Sequence, residues 1–432
     1  MPTVPLKIGL GGVGTVGAAL VRLLHDKRGD FAARTGRTPE IIAYSARSSG
    51  DRGLPLGGAT YYADAAKLAA VADIDVFVEL IGGADGPALA AVEAALTRRV
   101  PVVTANKAML AAHGVALAER AELAKVALAF EAAVAGGVPI VKTLREALSG
   151  NRIQRVSGIL NGTCNYILSR METERLPFEV CLKEAQKLGY AEADPTFDIG
   201  GFDTAHKLSI LAALAFGARV DAAAVSVEGI ESVNLADLAA ADELGYRIKL
   251  LGVAARTGHG VEQRVHPTML PKSSALAQTM GVLNAVSVDG DAVGSLTLVG
   301  PGAGGAATAS AVASDLADIA RGIVVPAFGR PVAALVESER ASLQRHEGGY
   351  YVRLSALDKP GSLASIAGRM AERGVSLESV MQKPADGGDV SHASLAVITH
   401  ATSETAIREA LALTVEDGVV RGKPQVIRIE RP

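Results

Sequence analysis

The most restrictive feature of this sequence is a glycine-rich turn between an apolar strand and an amphipathic helix. Apolar residues alternate from position 4 to position 10, Gly9-Leu-Gly11-Gly-Val-Gly14 follows, and apolar residues then recur at helical spacing. Gly-x-Gly-x-x-Gly in this context is typical of a strand–turn–helix unit that binds a dinucleotide. We expect Gly9 to permit the tight turn, Gly11 to admit a pyrophosphate and Gly14 to let helix and strand pack closely. A plain turn without a ligand is the alternative.

The exposed amides of the helix start would face the phosphates of such a ligand. The predicted cofactor contacts in this motif are Gly9, Gly11, Gly12, Val13, Gly14, Thr15 and Val16. The next strand, at 41–45, ends in Ser45-Ala-Arg47-Ser48-Ser49. A site specific for NAD usually has Asp or Glu there, whereas Arg47 with the serine hydroxyls suits a 2′-phosphate. The sequence therefore favours NADP, with NAD still possible and a solvated loop arginine as the alternative reading.

Strand and helix patterns alternate up to about residue 130, which predicts a doubly wound parallel sheet in an α/β fold. Thr104-Ala-Asn106-Lys107 follows one of the predicted strands. Ligands bind outside the carboxyl ends of such strands, so Lys107 is placed to touch substrate or nicotinamide. A surface lysine at a helix start is the alternative.

From residue 151 the pattern changes to mixed strands and helices, which predicts an α+β substrate domain over 151–290. The Rossmann-type domain is assigned to 1–150, and a return through Gly300-Pro-Gly302-Ala-Gly304-Gly305 and a helix is assigned to 291–322. Prolines and mixed charges suggest a linker at 323–348. The tail at 349–432 has the order β-α-β-β-α-β.

An acidic segment before Lys207 is the main candidate for catalysis. It carries Glu192, Asp194, Asp198 and Asp203 ahead of that single cation. On a helix, Asp203 and Lys207 would share one face. Such a lysine could protonate a carbonyl oxygen while carboxylates hold an amine or hydroxyl; a surface ion pair of a few tenths of a kcal/mol is the alternative.

Composition excludes several classes of protein. The net charge of -3 over 432 residues gives no bulk attraction for nucleic acid or an anionic membrane surface. No apolar run reaches the roughly 18 residues of a membrane span, and the amino terminus lacks a signal-peptide pattern. Cys164 and Cys181 are too few for a disulfide framework. We expect a soluble cytoplasmic protein.

Several long motifs in order are more specific than any glycine pattern. They are Gly9-Leu-Gly-Gly-Val-Gly14, Thr104-Ala-Asn-Lys-Ala108, Glu131-Ala-Ala-Val-Ala-Gly-Gly-Val-Pro-Ile140, Gly158-Ile-Leu-Asn-Gly-Thr-Cys-Asn-Tyr166, Gly189-Tyr-Ala-Glu-Ala-Asp-Pro195 and Asp203-Thr-Ala-His-Lys207. With these segments the chain resembles the bacterial homoserine dehydrogenases along nearly all its length. The tail resembles an ACT domain, a ferredoxin-like module that typically binds amino acids.

The resemblance implies roles for individual residues. Lys207 matches a general acid and base, and Lys107 matches a lysine near the nicotinamide and substrate. The implied substrate contacts are Gly189, Glu192, Asp198 and Asp203, with Asp203 also orienting the catalytic lysine. The implied further cofactor contacts are Thr104 and Gly304. The carbonyl oxygens of Glu131, Val134, Gly136 and Val138 match positions that hold a monovalent cation, usually sodium.

The implied reaction is the reversible NAD(P)H-dependent reduction of L-aspartate 4-semialdehyde to L-homoserine, in threonine, methionine and isoleucine biosynthesis. We further expect threonine to inhibit through the ACT domain, the chain to form a homodimer or homotetramer, and removal of residues 349–432 to leave activity intact. A dehydrogenase of another small amino-bearing aldehyde, and an amino-acid sensor with an inert oxidoreductase half, are the alternatives.

Overall fold

The structure, a computed structural model, describes residues 4–49, 53–258, 260–337, 347–384 and 391–431. Within these residues two sheets organise the fold, a six-stranded sheet near the amino terminus and an eleven-stranded sheet in the rest of the chain. The described part of the chain contains no helix both long enough and apolar enough to cross a membrane.

The first sheet is parallel throughout, as predicted, with the order β3-β2-β1-β4-β5-β6. Its strands are β1 Val4–Gly11, β2 Arg37–Ser45, β3 Thr60–Tyr62, β4 Val76–Glu79, β5 Val102–Thr104 and β6 Leu128–Ala129. The helices are α1 Thr15–Asp26, α2 Arg28–Thr35, α3 Ala65–Val71, α4 Pro87–Thr97 and α5 Lys107–Ala124. Strand β1 lies between β2 and β4, so the topological switch point, where doubly wound folds bind ligands, falls at its carboxyl end. Leu6, Ile8 and Leu10 of β1 are fully buried, which anchors this end in the core.

The second sheet begins with the strands of the substrate domain, in the order β12-β11-β7-β9-β10. The elements of this part are α6 Ile140–Lys142, β7 Ile153–Ile159, α7 Gly162–Glu174, α8 Phe178–Lys187, α9 Thr196–Ile199, α10 Phe202–Phe216, β8 Ser226–Val227, α11 Leu235–Glu243, β9 Tyr246–Thr257, β10 Gly260–Pro271, α12 Ala275–Gln278, β11 Leu283–Gly290, β12 Gly294–Pro301 and α13 Gly305–Ala320. Helix α10 lies across the sheet and contacts β7, β9 and β10. It is buried along most of its length, which places its first turn at the edge of the core.

The described residues bear on two predicted boundaries. Strand β12 pairs with β11 from Leu283↔Pro301 to Gly290↔Gly294, so the return to the first domain begins near Gly302 and not at residue 291. The assigned linker at 323–348 is packed over its described part. Phe328 is 1% exposed against Phe130, and Val332 N donates to Glu122 at 3.0 Å. Phe328 and Val332 are therefore buried in a segment whose prolines suggested a linker. Residues 338–346 lie outside the described part.

The tail has the predicted β-α-β-β-α-β order with one short added strand. Its elements are β13 Glu347–Leu357, α14 Ser362–Glu372, β14 Leu377–Pro384, β15 His392–Thr399, β16 Thr402–Ser403, α15 Glu404–Glu416 and β17 Val420–Ile429. Its strands do not form a separate sheet. Strand β17 pairs in parallel with β10 of the substrate domain, at Thr268↔Arg428 and Met269↔Ile429.

Buried charges reinforce this junction. Glu430 is 6% exposed, and its carboxylate accepts hydrogen bonds from Arg155 and Arg264 of the substrate domain. Burial alone would raise the pKa of Glu430, but the two arginines lower it. Arg353 of β13 donates to buried Asp237 of α11 at 2.6 Å. The tail is therefore bonded into the substrate domain through both backbone and side chains.

We predict that deleting residues 347–432 destabilises the remaining chain, because it exposes the β10 edge and removes the partner of two arginines. Glu430→Gln in the full chain should lower the free energy of unfolding by about 3 kcal/mol, the usual cost of breaking a buried pair. Urea denaturation measures this cost. Glu378→Gln, which breaks an exposed pair with Arg431 in the same tail, is the control and should cost less than about 1 kcal/mol. A truncated chain as stable as the full one would contradict the prediction.

Candidate active site

A cleft of about 1050 Å³ opens at the carboxyl ends of β1, β2 and β4. Its lining includes Gly12, Gly14, Arg47, Ile81 and Pro87. This is the switch point of the parallel sheet, where a dinucleotide binds in this class of fold. Arg47 is exposed just beyond Ser45, the last residue of β2, at the side of the cleft where a ribose would lie.

The glycines around this cleft show which three residues form the Gly-x-Gly-x-x-Gly turn. Gly12 has φ +98, and a Cβ there would lie 2.4 Å from Leu80 O, so Gly12 makes the tight turn. A Cβ on Gly17 would lie 2.2 Å from Gly12 O, so Gly17 permits the close packing of helix and strand. A Cβ on Gly14 would meet no atom within 4 Å, which leaves its backbone open to the cleft. The motif is therefore Gly12-Val-Gly14-Thr-Val-Gly17.

The roles predicted from the sequence for Gly9, Gly11 and Gly14 are wrong, because each role belongs to the glycine three positions later in the chain. Gly9 and Gly11 lie within β1, where a Cβ on Gly9 would crowd Leu68 and one on Gly11 would crowd Phe77, at 2.8 Å in each case. The sequence contains two overlapping copies of the pattern, and only the end of the strand decides between them.

The two helix starts at the cleft lie together. Gly14 caps α1 without a side-chain bond, so the first amides of the helix, from Thr15 onward, are available to a phosphate. Gly304, with φ +104, precedes α13, and a Cβ on Gly305 would lie 3.1 Å from Thr15 O. Gly304 is thus beside the motif, as the resemblance implies for a cofactor contact.

Two lysines from different domains share one buried carboxylate. Lys107, the first residue of α5, lies with its Nζ 3.0 Å from Asp203 Oδ1. Lys207 Nζ donates to Asp203 Oδ2 at 2.7 Å and to Leu160 O at 2.7 Å. Asp203 is 4% exposed. The structure therefore brings together the three residues predicted to be catalytic.

The electrostatics of this cluster favour an ionised Asp203. Burial alone would raise the pKa of Asp203, but the ammonium groups of Lys207 and Lys107 and hydrogen bonds from Lys207 and Asn161 hold it well below its usual range. Asp198 is less buried, and desolvation together with the charge of Asp203 raises its pKa, although the hydrogen bond from the amide of Asn161 lowers it. The cluster thus contains two cations around one firmly ionised carboxylate, Asp203, and a second carboxylate, Asp198, that protonates more readily.

The other predicted substrate contacts lie on a loop between α8 and α9. Gly189 has φ +75, and both it and Glu192 are exposed. Tyr190 anchors this loop to α7, since Thr163 Oγ1 donates to Tyr190 O at 2.6 Å. Asp198 reaches the cluster through Asn161, whereas Glu192 is exposed on the loop.

The predicted cation loop follows β6. Ala135 and Gly136 have successive left-handed conformations, with φ 55 and 53, although Ala135 is fully buried. The side chain of Glu131 is occupied, because it accepts from Val141 N at 2.9 Å and Lys142 N at 2.7 Å. Burial raises the pKa of Glu131 to about 7. Val138 O accepts from Ile140 N at 2.8 Å, which leaves one lone pair on that carbonyl.

Comparison with known proteins matches this arrangement to one family. Residues 139–317 match the family described as homoserine dehydrogenase, residues 12–131 its NAD binding domain and residues 350–413 the ACT domain. Homoserine dehydrogenase of Pseudomonas aeruginosa is 43% identical, over 99% of each chain. The chain belongs to the homoserine dehydrogenase family. It is therefore an oxidoreductase with a domain that binds a nicotinamide dinucleotide.

Related proteins match most or nearly all of the chain. Homoserine dehydrogenase of Neisseria gonorrhoeae is also 43% identical, over 99% of both chains. The crystal structure of the Thiobacillus denitrificans homoserine dehydrogenase superposes with a TM-score of 0.92 at 40% identity and covers 99% of this chain and 98% of that one. An archaeal homoserine dehydrogenase in complex with NADPH covers 73% of this chain and 97% of its own, with a TM-score of 0.62 at 26% identity.

Asn161 is a member of this homoserine dehydrogenase site that the sequence analysis missed. Its Nδ2 donates to Asp198 Oδ1 at 2.8 Å and to Asp203 Oδ2 at 2.9 Å, while its Oδ1 accepts from Cys164 N and caps α7. Asn161 lies in the Gly158–Tyr166 motif, and an Asn before a helix start is a recognisable cap. Its contact with the carboxylates depends on packing.

Glu79 is a second missed residue. It is fully buried at the end of β4, and Thr104 Oγ1 donates to its Oε2. Its Oε1 accepts from Ile81 N at 2.7 Å and Gly82 N at 3.0 Å, which shapes the turn at the cleft. Thr104, predicted as a cofactor contact, is itself fully buried and supports this turn from below.

We predict that one glycine variant lowers the free energy of unfolding, whereas another weakens cofactor binding. Gly17→Ala should lower the free energy of unfolding by about 1–3 kcal/mol, because its Cβ would overlap Gly12 O. Gly14→Ala should leave stability unchanged, since its Cβ meets open space, but should weaken binding of reduced cofactor by about tenfold or more, about 1.4 kcal/mol. Urea denaturation and cofactor titration measure the two quantities. Equal stability losses in both variants would mean that the register is wrong.

We also predict that Asp203→Asn impairs both stability and turnover. The amide cannot balance two ammonium groups, so the free energy of unfolding should fall by about 3 kcal/mol. Loss of the group that orients Lys207 should reduce kcat by about a hundredfold. The control is Asp194→Asn, an exposed carboxylate of the same segment that bonds Thr196 N. A wild-type kcat in Asp203→Asn would exclude this carboxylate from the chemistry.

Proposed function

We propose that this protein reduces L-aspartate 4-semialdehyde to L-homoserine with NADPH, reversibly, in threonine, methionine and isoleucine biosynthesis. The observation that carries the proposal is the pair Lys107 and Lys207 on one buried carboxylate. Lys107 follows β5, whose carboxyl end lies at the same sheet edge as the cofactor cleft. Membership of the homoserine dehydrogenase family supports the choice of substrate.

Lys207 acts as the general acid of the reduction. Its ammonium has three N–H donors, and two are bonded to Asp203 Oδ2 and Leu160 O. The third donor polarises the carbonyl oxygen of the aldehyde and then transfers its proton as alkoxide charge develops. The bound nicotinamide supplies the hydride to the aldehyde carbon. In the reverse direction the neutral amine accepts the hydroxyl proton.

The surrounding residues bind and orient the substrate. Lys107 adds a second positive charge beside the reacting oxygen. Glu192, on the exposed loop anchored at Tyr190, binds the substrate ammonium from the open side. Asp198 and Asp203 take part in hydrogen bonding to the amine or hydroxyl end. Fixing the substrate at two ends aligns its aldehyde carbon with the cofactor.

NADP is the preferred cofactor in this proposal. Arg47 lines the cleft beyond Ser45, and the sequence has no carboxylate there to bind a ribose 2′-hydroxyl. The archaeal relative with NADPH is consistent with this choice. We further propose that Glu131, Val134, Gly136 and Val138 hold a sodium ion through their carbonyl oxygens. The strained, buried turn at Ala135 supports a ligand-binding loop, and the ion would stabilise it.

Regulation is proposed to act through the ACT domain, with threonine as the effector. The junction between β17 and β10 gives a physical route, because it joins the effector domain to the sheet under α10. We also propose a homodimer or homotetramer in the cytoplasm. Strand β12 is at one end of the large sheet in the described residues, and such an edge can pair with a second copy.

We predict that Lys207→Met abolishes turnover while reduced cofactor still binds. The apolar side chain fills similar space but cannot donate a proton, so kcat should fall by about a thousandfold or more. The assay follows NADPH absorbance on addition of aspartate semialdehyde. Near-normal turnover in the variant would exclude Lys207 as the proton donor.

The same assay with the wild-type protein tests the proposed cofactor, effector and substrate. NADPH against NADH measures cofactor preference, and added threonine measures inhibition. Other small aldehydes with and without an amino group test the substrate. An absence of turnover with every aldehyde, together with tight threonine binding, would favour an amino-acid sensor.

A further inference from the structure

Asn284 connects the catalytic lysine to the glycine turn beside the cofactor cleft. It lies on β11 and is 1% exposed. Its Nδ2 donates to Leu160 O at 3.0 Å, and the same carbonyl accepts from Lys207 Nζ at 2.7 Å. A carbonyl oxygen has two lone pairs, so the amide and the ammonium together saturate Leu160 O. The orientation of the amide is determined, because only its NH₂ group can face a carbonyl.

The other face of Asn284 is covered by Gly302. A Cβ on Gly302 would lie 1.9 Å from Asn284 Cγ, so only glycine fits there. Gly302 in turn contacts the loop after β6, since a Cβ on Gly136 would lie 2.4 Å from Gly302 O and Gly137 N donates to Pro301 O at 3.0 Å. The amide is therefore clamped between the substrate domain and the turn that leads into α13.

Asn284 also retains a buried polar atom with an unmet bond. Within the described residues its Oδ1 has no hydrogen-bond partner. A leucine has the same number of side-chain heavy atoms and would avoid this cost. The amide is therefore unfavourable for folding at this atom, and what it contributes is the bond that it donates to Leu160.

We propose that Asn284 is a positioning residue of the reduction, which holds Leu160 O in the one direction that aims the free N–H of Lys207 at the substrate. The inference rests on the proposed role of Lys207 as the general acid. Asn284 does not touch the substrate in this arrangement. It acts through Leu160, and its contact with Gly302 keeps the lysine in register with the cofactor side of the cleft.

The test compares three variants of the full-length protein. Asn284→Leu removes both polar atoms, and Asn284→Asp keeps the shape but replaces the NH₂ donor by a carboxyl oxygen, which in its ionised form only accepts and cannot bond Leu160 O. Ser287→Ala is the control, because it removes a buried hydroxyl on the same strand that bonds Thr297 and does not contact Leu160. If Asn284→Leu does not fold, the isosteric Asn284→Asp remains as the test.

We expect both Asn284 variants to lower kcat by about tenfold or more relative to Ser287→Ala, as a small misalignment of a catalytic group does. The KM values for NADPH and aldehyde should stay unchanged, and the isotope effect on kcat with deuterated NADPH should rise. A purely structural role would instead lower stability with kcat retained. A kcat equal to that of Ser287→Ala, or a change confined to KM, would overturn the proposal.

A second measurement does not depend on turnover. Acetylation of the Lys207 amine by acetic anhydride, followed by mass spectrometry, should be several-fold faster in Asn284→Leu than in Ser287→Ala, because Leu160 O is no longer held in place and holds the lysine less firmly. Acetylation at the rate of Ser287→Ala would overturn the inference even in an inactive protein. Conversely, faster acetylation in a protein that reduces no aldehyde would reject the proposed function and leave the positioning of Lys207 by Asn284 standing.

Discussion

The arrangement of this protein depends on one shared carboxylate. Asp203 is buried between Lys107 of the nucleotide-binding domain and Lys207 of the substrate domain. A buried carboxylate is costly unless it is paired and hydrogen-bonded, and here two ammonium groups and an amide meet that requirement. The same contacts join the two domains at the candidate active site, so one set of charges serves folding and the proposed chemistry.

Two asparagines prepare the site in the same way. Asn106 caps α5 directly before Lys107, with its Oδ1 accepting from Met109 N and its Nδ2 donating to Gly83 O. Asn161 caps α7 directly after Leu160 and donates to the carboxylates of the pocket. In each case one amide satisfies a helix start and orients a neighbouring segment of the site. A capped helix start thus places Lys107, and another fixes the segment at Leu160 that Lys207 contacts.

The ACT domain is bonded to the substrate domain and does not form a separate sheet. Its strand β17 extends the sheet of the substrate domain, and Glu430 neutralises two arginines of that domain. The strands of the tail are therefore continuous with the sheet that also supports α10. The composition of 323–348 suggested a linker, and its residues Phe328 and Val332 are buried, because a segment that contains prolines can still pack when its apolar residues face one side.

Local geometry accounts for what the sequence alone determined. The alternation of strands and helices, the glycine-rich turn and the pairing of Asp203 with Lys207 follow from periodicities of two and 3.6 residues. Packing decided the rest. Lys107 meets Asp203 only because α5 and α10 come together, the glycine register depends on where β1 ends, and Asn284 reaches Leu160 across neighbouring strands. Contacts between distant residues depend on how the whole chain packs, and no spacing in the sequence records that.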